Sequence, residues 1–333
     1  VGLDRNERLA PLPDWFLAEL RERLTSELAS TYPSPPALRE ELAASLGVST
    51  ESVLVTPGTD AALRAVHLAY VRPGDAIVRL DPTYAMLPVY AQMFAARDIA
   101  IGYDEHLQLA TDSLLAAVTP GVRLVVIANP NQPTGTRLSG DLLEELVAGC
   151  ERAGALLVLD EAYHAFSGET GLPFVERSGN VLVLRTFSKA AGLAGLRVGF
   201  AVGAPPAIRA LASVRSAGEV NALALEAARL IVAHPEVVSD YAALVEEGRI
   251  VLDRRARELG VEPLPTHANF VLLRLPDGHE PADVVERLRA RGYIVRGPFT
   301  AECLHGCIRA TLGPPDLMER FSDALASSLG AER

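Results

Sequence analysis

The sequence predicts an α/β protein: a large domain with a mostly parallel sheet covered by helices on both faces, followed by a smaller α+β domain. Three observations predict it. Short apolar runs with no polar face recur at residues 76–80, 124–128, 156–159 and 181–184, spaced by helical stretches such as 140–153. Strands that are apolar on both faces belong in sheets buried on both sides. Each run ends in a polar cluster, and in such sheets ligands collect at the carboxyl ends of the strands. Past His234-Pro235 the pattern changes to one long helix and then a compact alternation of strand and helix, which reads as a second unit.

The elements follow in order. Residues 1–34 read as an N-terminal arm joining the small domain, with a helix near 15–30 and an extended proline-broken segment, Thr31-Tyr32-Pro33-Ser34-Pro35-Pro36. Helix 37–46 closes at Gly47. The large domain is expected at 35–234 and the small one at 235–333. Strand 52–55 runs through Thr56-Pro57-Gly58-Thr59-Asp60 into helix 61–70, a strand-turn-helix layout that offers free N–H groups to an anion. The following strands end in Asp81-Pro82-Thr83-Tyr84, in Asn129-Pro130-Asn131-Gln132-Pro133-Thr134-Gly135, in Asp160-Glu161-Ala162-Tyr163, and in the segment around Lys189. Strand 198–202 and a helix-prone stretch, 207–232, complete the large domain. The small domain reads as helix 237–259, strand 269–275, helix 281–291, strands 293–296 and 308–312, and helix 315–329.

Composition narrows the function. The formal net charge of −11 argues against nucleic acid, whose phosphates favour a basic partner. No apolar run reaches membrane-spanning length and the N-terminus has no signal-peptide layout, so a cytoplasmic protein is expected. Three cysteines make no disulfide framework. Cys303, His305 and Cys307 fit no standard zinc spacing, and no metal site is expected.

Of 31 basic Lys and Arg residues, one is lysine, Lys189. Arginine stays protonated, whereas lysine can lose its proton and form a Schiff base, so the chain keeps one primary amine where chemistry needs it.

These motifs resemble fold type I enzymes that use pyridoxal phosphate (PLP), and among them the histidinol-phosphate aminotransferase group. The resemblance runs through Tyr32-Pro33, Pro82-Thr83-Tyr84, Asp160-x-x-Tyr163, Ser188-Lys189, Gly195-Leu196-Arg197, Ala268-Asn269-Phe270 and Val295-Arg296, in order over nearly the whole chain. It implies a PLP-dependent aminotransferase acting on an amino acid or amino-alcohol phosphate and a 2-oxo acid, with a PLP decarboxylase, oxidase or cyclase as the alternative and a non-catalytic sensor further off.

The resemblance also assigns roles. Lys189 carries the cofactor and shuttles the proton, and Asp160 faces the ring nitrogen, which must be protonated for the ring to draw electrons. Tyr163 and Gln132 meet the phenolic oxygen, and Tyr84 stacks on the ring. Gly58, Thr59, Asp60, Thr186, Ser188 and Arg197 cradle the phosphate, joined by Tyr32 from a second subunit, which implies a homodimer with shared sites. Arg309, Arg296, Asn131 and Asn6 meet the substrate. The family usually has Asn at Gln132 and at Arg8; an arginine in the arm suggests an anionic substrate or a solvent-facing change.

Overall fold

The fold is that of a computed structural model, which describes residues 1–330. Seven strands form the central sheet: β1 (Val53–Thr56), β2 (Ala76–Asp81), β3 (Arg97–Gly102), β4 (Val122–Ala128), β5 (Leu156–Asp160), β6 (Val181–Thr186) and β7 (Gly199–Gly203). Their order is β1-β7-β6-β5-β4-β2-β3. All neighbours are parallel except β7, which is antiparallel to both β1 and β6. Six of the seven strands, all but β3, are buried along all or nearly all their length, and each face of the sheet carries its own apolar cluster beneath helices. The edge strand β3 was not legible in the sequence because most of its residues are exposed and its pattern carries no continuous apolar run.

Three more strands, β8 (Glu262–Pro263), β9 (Phe270–Arg274) and β10 (Cys307–Thr311), make a small antiparallel sheet in the order β10-β9-β8. The helices Glu236–Glu258, Pro281–Ala290 and Pro315–Leu329 cover it, with Tyr241, Val245, Leu252, Phe321 and Leu325 in its core. The strand expected at 293–296 is two isolated bridges instead: Ile294 pairs with Gly2 and Arg296 with Arg309. The helical reading of 207–232 divides into Pro205–Ser213 and Ala222–Ala233, the second opened by Asn221, whose side chain accepts from the Ala224 N–H. Thr25 likewise caps a second short helix within 15–30.

The residues of the N-terminal arm divide between the two cores. Leu3 is buried with the small sheet, while Phe16 is buried in the large core and helix Asp14–Arg23 packs on helix Ala222–Ala233. Residues 1–10 bridge the units: Leu3 bonds to Ile294 and Thr311 of the small one, and Asn6 and Arg8 bond to Tyr163 and Ala190 of the large one.

Candidate active site

The carboxyl ends of β4, β5 and β6 open into one cleft of about 640 Å³ including its mouth, within the usual range for a small-molecule site. Thr59, Asp60, Tyr84, Gln132, Asp160, Tyr163, Thr186, Ser188, Lys189 and Arg197 all line it. Ala128, Pro130 and Ala162 complete the walls; they carry no polar atom by which a sequence pattern would mark them.

Asp160 ends β5 and is 5% exposed. Its Oδ1 accepts from the Ala162 N–H at 3.1 Å. Burial pushes its carboxyl up to about 7, against the pull of that hydrogen bond and of Lys189. A carboxylate held in this way is ready for a cationic N–H partner. Behind it, Glu161 is fully buried and accepts from Arg185 Nε at 3.1 Å and from Thr170 Oγ1 at 3.0 Å, while the Glu161 N–H donates to the Leu184 carbonyl. This pair ties the end of β5 to β6 and so sets Asp160 against the Lys189 loop. The sequence contains both residues but gives no sign that they meet.

At the other end of the cleft, helix Thr59–Tyr70 begins after Gly58, which has φ +81°. A Cβ at Gly58 would lie 3.0 Å from Arg197 Nη2, so glycine leaves the space in which the guanidinium and the helix N-terminus converge. Arg197 donates to Ser188 Oγ at 3.2 Å, and Thr186 Oγ1 donates to the same oxygen at 3.0 Å. The set suits a phosphate dianion. The Asp60 carboxylate does not join it: its Oδ1 accepts from the Tyr84 hydroxyl at 2.8 Å, so the side chain orients Tyr84, and a negative group could not hold phosphate oxygens directly.

Between these ends, Asn6 Nδ2 donates to the Tyr163 hydroxyl at 2.9 Å, which donates to Gln132 Oε1 at 2.7 Å. Burial pushes the Tyr163 phenol up to about 12, with Asn6 and Arg309 opposing. Asn6 is thus 1% exposed and acts through Tyr163 rather than facing open solvent. Lys189 Nζ lies 5.5 Å from the Tyr163 ring centroid and donates to the Arg5 carbonyl at 3.0 Å. Burial first and Arg309 second bring its amine down to about 8, while Glu7 and Asp160 oppose the shift.

Three expectations need correction or restatement. Asn131, expected at the substrate, has its amide fully engaged: it accepts from Thr83 Oγ1 and donates to the Pro82 carbonyl and Thr134 Oγ1, bracing the 129–136 loop. Arg8 is half-buried rather than solvent-facing, and its guanidinium donates to three backbone carbonyls rather than pointing into the cleft. Tyr32 is 96% exposed and touches no part of the cleft in this chain. Arg309 is buried on β10, donates to the Asp4 carbonyl at 2.8 Å, and leaves Nε as a buried donor without a partner. Arg296 pairs with it through the backbone and is exposed. No group of His, Cys, Asp and Glu that could hold a metal ion occurs among the described residues.

A cradle for phosphate, a buried carboxylate, a phenol–amide pair and one amine in a cleft at the strand ends define a fold type I PLP enzyme. The comparisons with known proteins agree. The model of aminotransferase class I and II matches residues 1–325, and the chain belongs to that family; it is a PLP-dependent aminotransferase. It is similar to the histidinol-phosphate aminotransferase of Caldanaerobacter subterraneus, at 31% identity over 98% of this chain and 92% of that one. The histidinol-phosphate aminotransferase of Sinorhizobium meliloti, solved in complex with pyridoxal-5'-phosphate, superposes with a TM-score of 0.88 at 27% identity, covering 99% of this chain and 91% of that one. The L-threonine-O-3-phosphate decarboxylase of Porphyromonas gingivalis superposes with a TM-score of 0.85 at 25% identity over 99% of both chains.

Proposed function

We propose that the chain transfers the amino group of an amino acid or amino-alcohol phosphate, such as histidinol phosphate, to a 2-oxo acid. The observation that carries this reading is the single lysine amine of the chain, set in one cleft with Asp160, Tyr163, Gln132 and the Gly58–Arg197 cradle. PLP, when bound, supplies the electron sink that lets a proton leave the substrate Cα.

The residues around it do the rest. Asp160 holds a proton on the ring nitrogen, because a cation against it relieves the burial that otherwise raises its pKa. Tyr163, steadied by Asn6, and Gln132 face the ring oxygen. Lys189, with a pKa of about 8, is partly neutral near neutral pH and so is able to take the proton from the substrate Cα. Arg309 receives the substrate anion with its unpartnered Nε, and the exposed Arg296 beside it serves the distal end of the substrate. Thr59, Thr186, Ser188 and Arg197 hold the phosphate, with the backbone of Gly58 and Asp60.

The reading extends to a homodimer. Tyr32 is exposed, free to reach the phosphate site of a second copy. Among the described residues no helix is long and apolar enough to cross a membrane, and three free, buried cysteines suit a reducing cytoplasm.

The test is a panel of amino acids and histidinol phosphate given to the PLP-loaded protein, with and without a 2-oxo acid acceptor. Amino transfer that requires the acceptor supports the reading. Carbon dioxide release without an acceptor would favour the decarboxylase chemistry that the Porphyromonas gingivalis neighbour carries on the same fold.

A further inference from the structure

Three segments meet at Arg8. Its Nη1 donates to the Ala190 carbonyl at 2.9 Å, in the loop that carries Lys189, and to the Val237 carbonyl at 2.9 Å, in the first turn of helix Glu236–Glu258. Its guanidinium lies 4.3 Å from the Tyr241 ring centroid, and the Tyr241 hydroxyl accepts from the Leu9 N–H at 2.9 Å. The lysine loop is shaped around this side chain: Gly192 has φ +75°, and a Cβ there would lie 2.6 Å from Arg8 Cδ.

The arm held down in this way presents its carbonyls to the site in succession. Asp4 O accepts from Arg309, Arg5 O from Lys189 Nζ, and Asn6 O from Asn269 Nδ2. We propose that Arg8 is a positioning residue for the catalytic amine: it pins residues 4–9 and the 189–192 loop to one helix, so that the Arg5 carbonyl stands over Lys189 and receives its amine whenever that amine is unbonded.

A neutral carbonyl suits this task. It gives an ammonium or an amine N–H an acceptor beside the half-buried amine, yet does not lock a proton on nitrogen as a paired carboxylate would. The charged groups facing Lys189 are mixed. Arg309 from the small sheet and Arg197 from the phosphate end disfavour its charge, while Asp160 from β5 and Glu7 from the arm favour it; the Tyr163 ring covers one side. Burial is the largest of these influences, and the arm supplies part of it together with Glu7. Freeing the arm hydrates the amine and withdraws Glu7; because burial ranks above Glu7, the net change raises the pKa toward the ordinary lysine value.

This inference rests on Lys189 as the reacting amine, which borohydride reduction of the PLP-loaded protein checks by itself: the reduced adduct must map to Lys189. Because the chain has one lysine, an amine-acylating ester on the PLP-free protein reports the Lys189 titration, with peptide mapping to set aside the N-terminal amine. In unsubstituted protein the labelling midpoint should lie well below that of an ordinary lysine. Arg8→Met keeps an apolar stem against Gly192 and removes every donor. It should raise the midpoint by about one pH unit and speed amide exchange at residues 6–9. In the loaded enzyme it should lower kcat about tenfold, with KM and PLP affinity within about threefold. Should Arg8→Met not fold, Arg8→Gln, which keeps one amide donor, carries the same measurements with a smaller effect. An ordinary midpoint in the unsubstituted protein, or an unmoved midpoint in a folded Arg8 variant whose adduct still maps to Lys189, would overturn the proposal while leaving the assignment of Lys189 intact.

Discussion

Replacing Asp160 by Asn should make the protein more stable and less active at once. The carboxyl is 5% exposed, and burial raises its pKa from the ordinary 3.8 to about 7. An acid whose folded pKa lies above its unfolded one binds protons more readily when folded. Its ionisation therefore destabilises the fold progressively as pH rises from about 4 to about 7, and fully above that. The interval from 3.8 to about 7 corresponds to about 4 kcal/mol at alkaline pH and to less than about 2 kcal/mol at pH 5. Asn keeps the shape and can still accept from the Ala162 N–H, so little packing is lost. Urea unfolding of PLP-free protein at pH 8.5 should show the variant more stable by about 2–4 kcal/mol, with the gap falling to less than half by pH 5. PLP should narrow or reverse the difference by stabilising the unsubstituted protein more than the variant, and transamination by the variant should fall about a hundredfold or more for want of a charged partner at the ring nitrogen. A variant less stable than the parent at pH 8.5 would refute the argument, since Asp160 would then be stabilised by its surroundings rather than strained by them. The trade of stability for function is the one expected of a group placed for a ligand.

Lys189→Ala should abolish the PLP adduct trapped by borohydride; mass spectrometry that still finds the adduct on the chain would remove the central assignment. Arg309→Ala should raise KM for carboxylate or phosphate substrates by about ten- to a hundredfold while changing PLP affinity far less, and equal losses in steady-state kinetics and PLP titration would argue against its role. Gln132→Asn shortens the side chain that accepts from Tyr163, so the pH at which the visible absorption band of the loaded enzyme changes colour should shift; an unchanged titration would place residue 132 away from the ring oxygen.

Much of this was legible from local pattern. Strands β2, β4, β5 and β6 are runs of Val, Ile, Leu and Ala bounded by turn residues, and a strand buried on both faces leaves that mark wherever it occurs. The chemistry-bearing residues sit within a few positions of the strand ends, so chain order alone lines up Tyr84, Gln132, Asp160, Tyr163, Ser188 and Lys189. Strand β3 was hidden because an exposed edge needs no apolar run. The bridges at Ile294 and Arg296 looked like one strand because their partners, Gly2 and Arg309, come from distant parts of the chain.

The side chains in the arm and in the 129–136 loop show where local pattern ends. Asn131 resembles a substrate ligand in sequence, yet Thr83 and Pro82, nearly fifty residues earlier, engage its amide. Arg8 looks like a free charge until helix Glu236–Glu258 and the Ala190 carbonyl close around it. By itself the sequence determined the buried strands of the sheet, the polar clusters at their ends and the single amine, because each follows from hydrophobic periodicity or side-chain chemistry within a short window, while the roles of the cluster residues came from the resemblance. Only the tertiary structure decided which of those polar groups are free to meet a ligand and which are already satisfied, because hydrogen-bond partners hundreds of residues apart are chosen by packing.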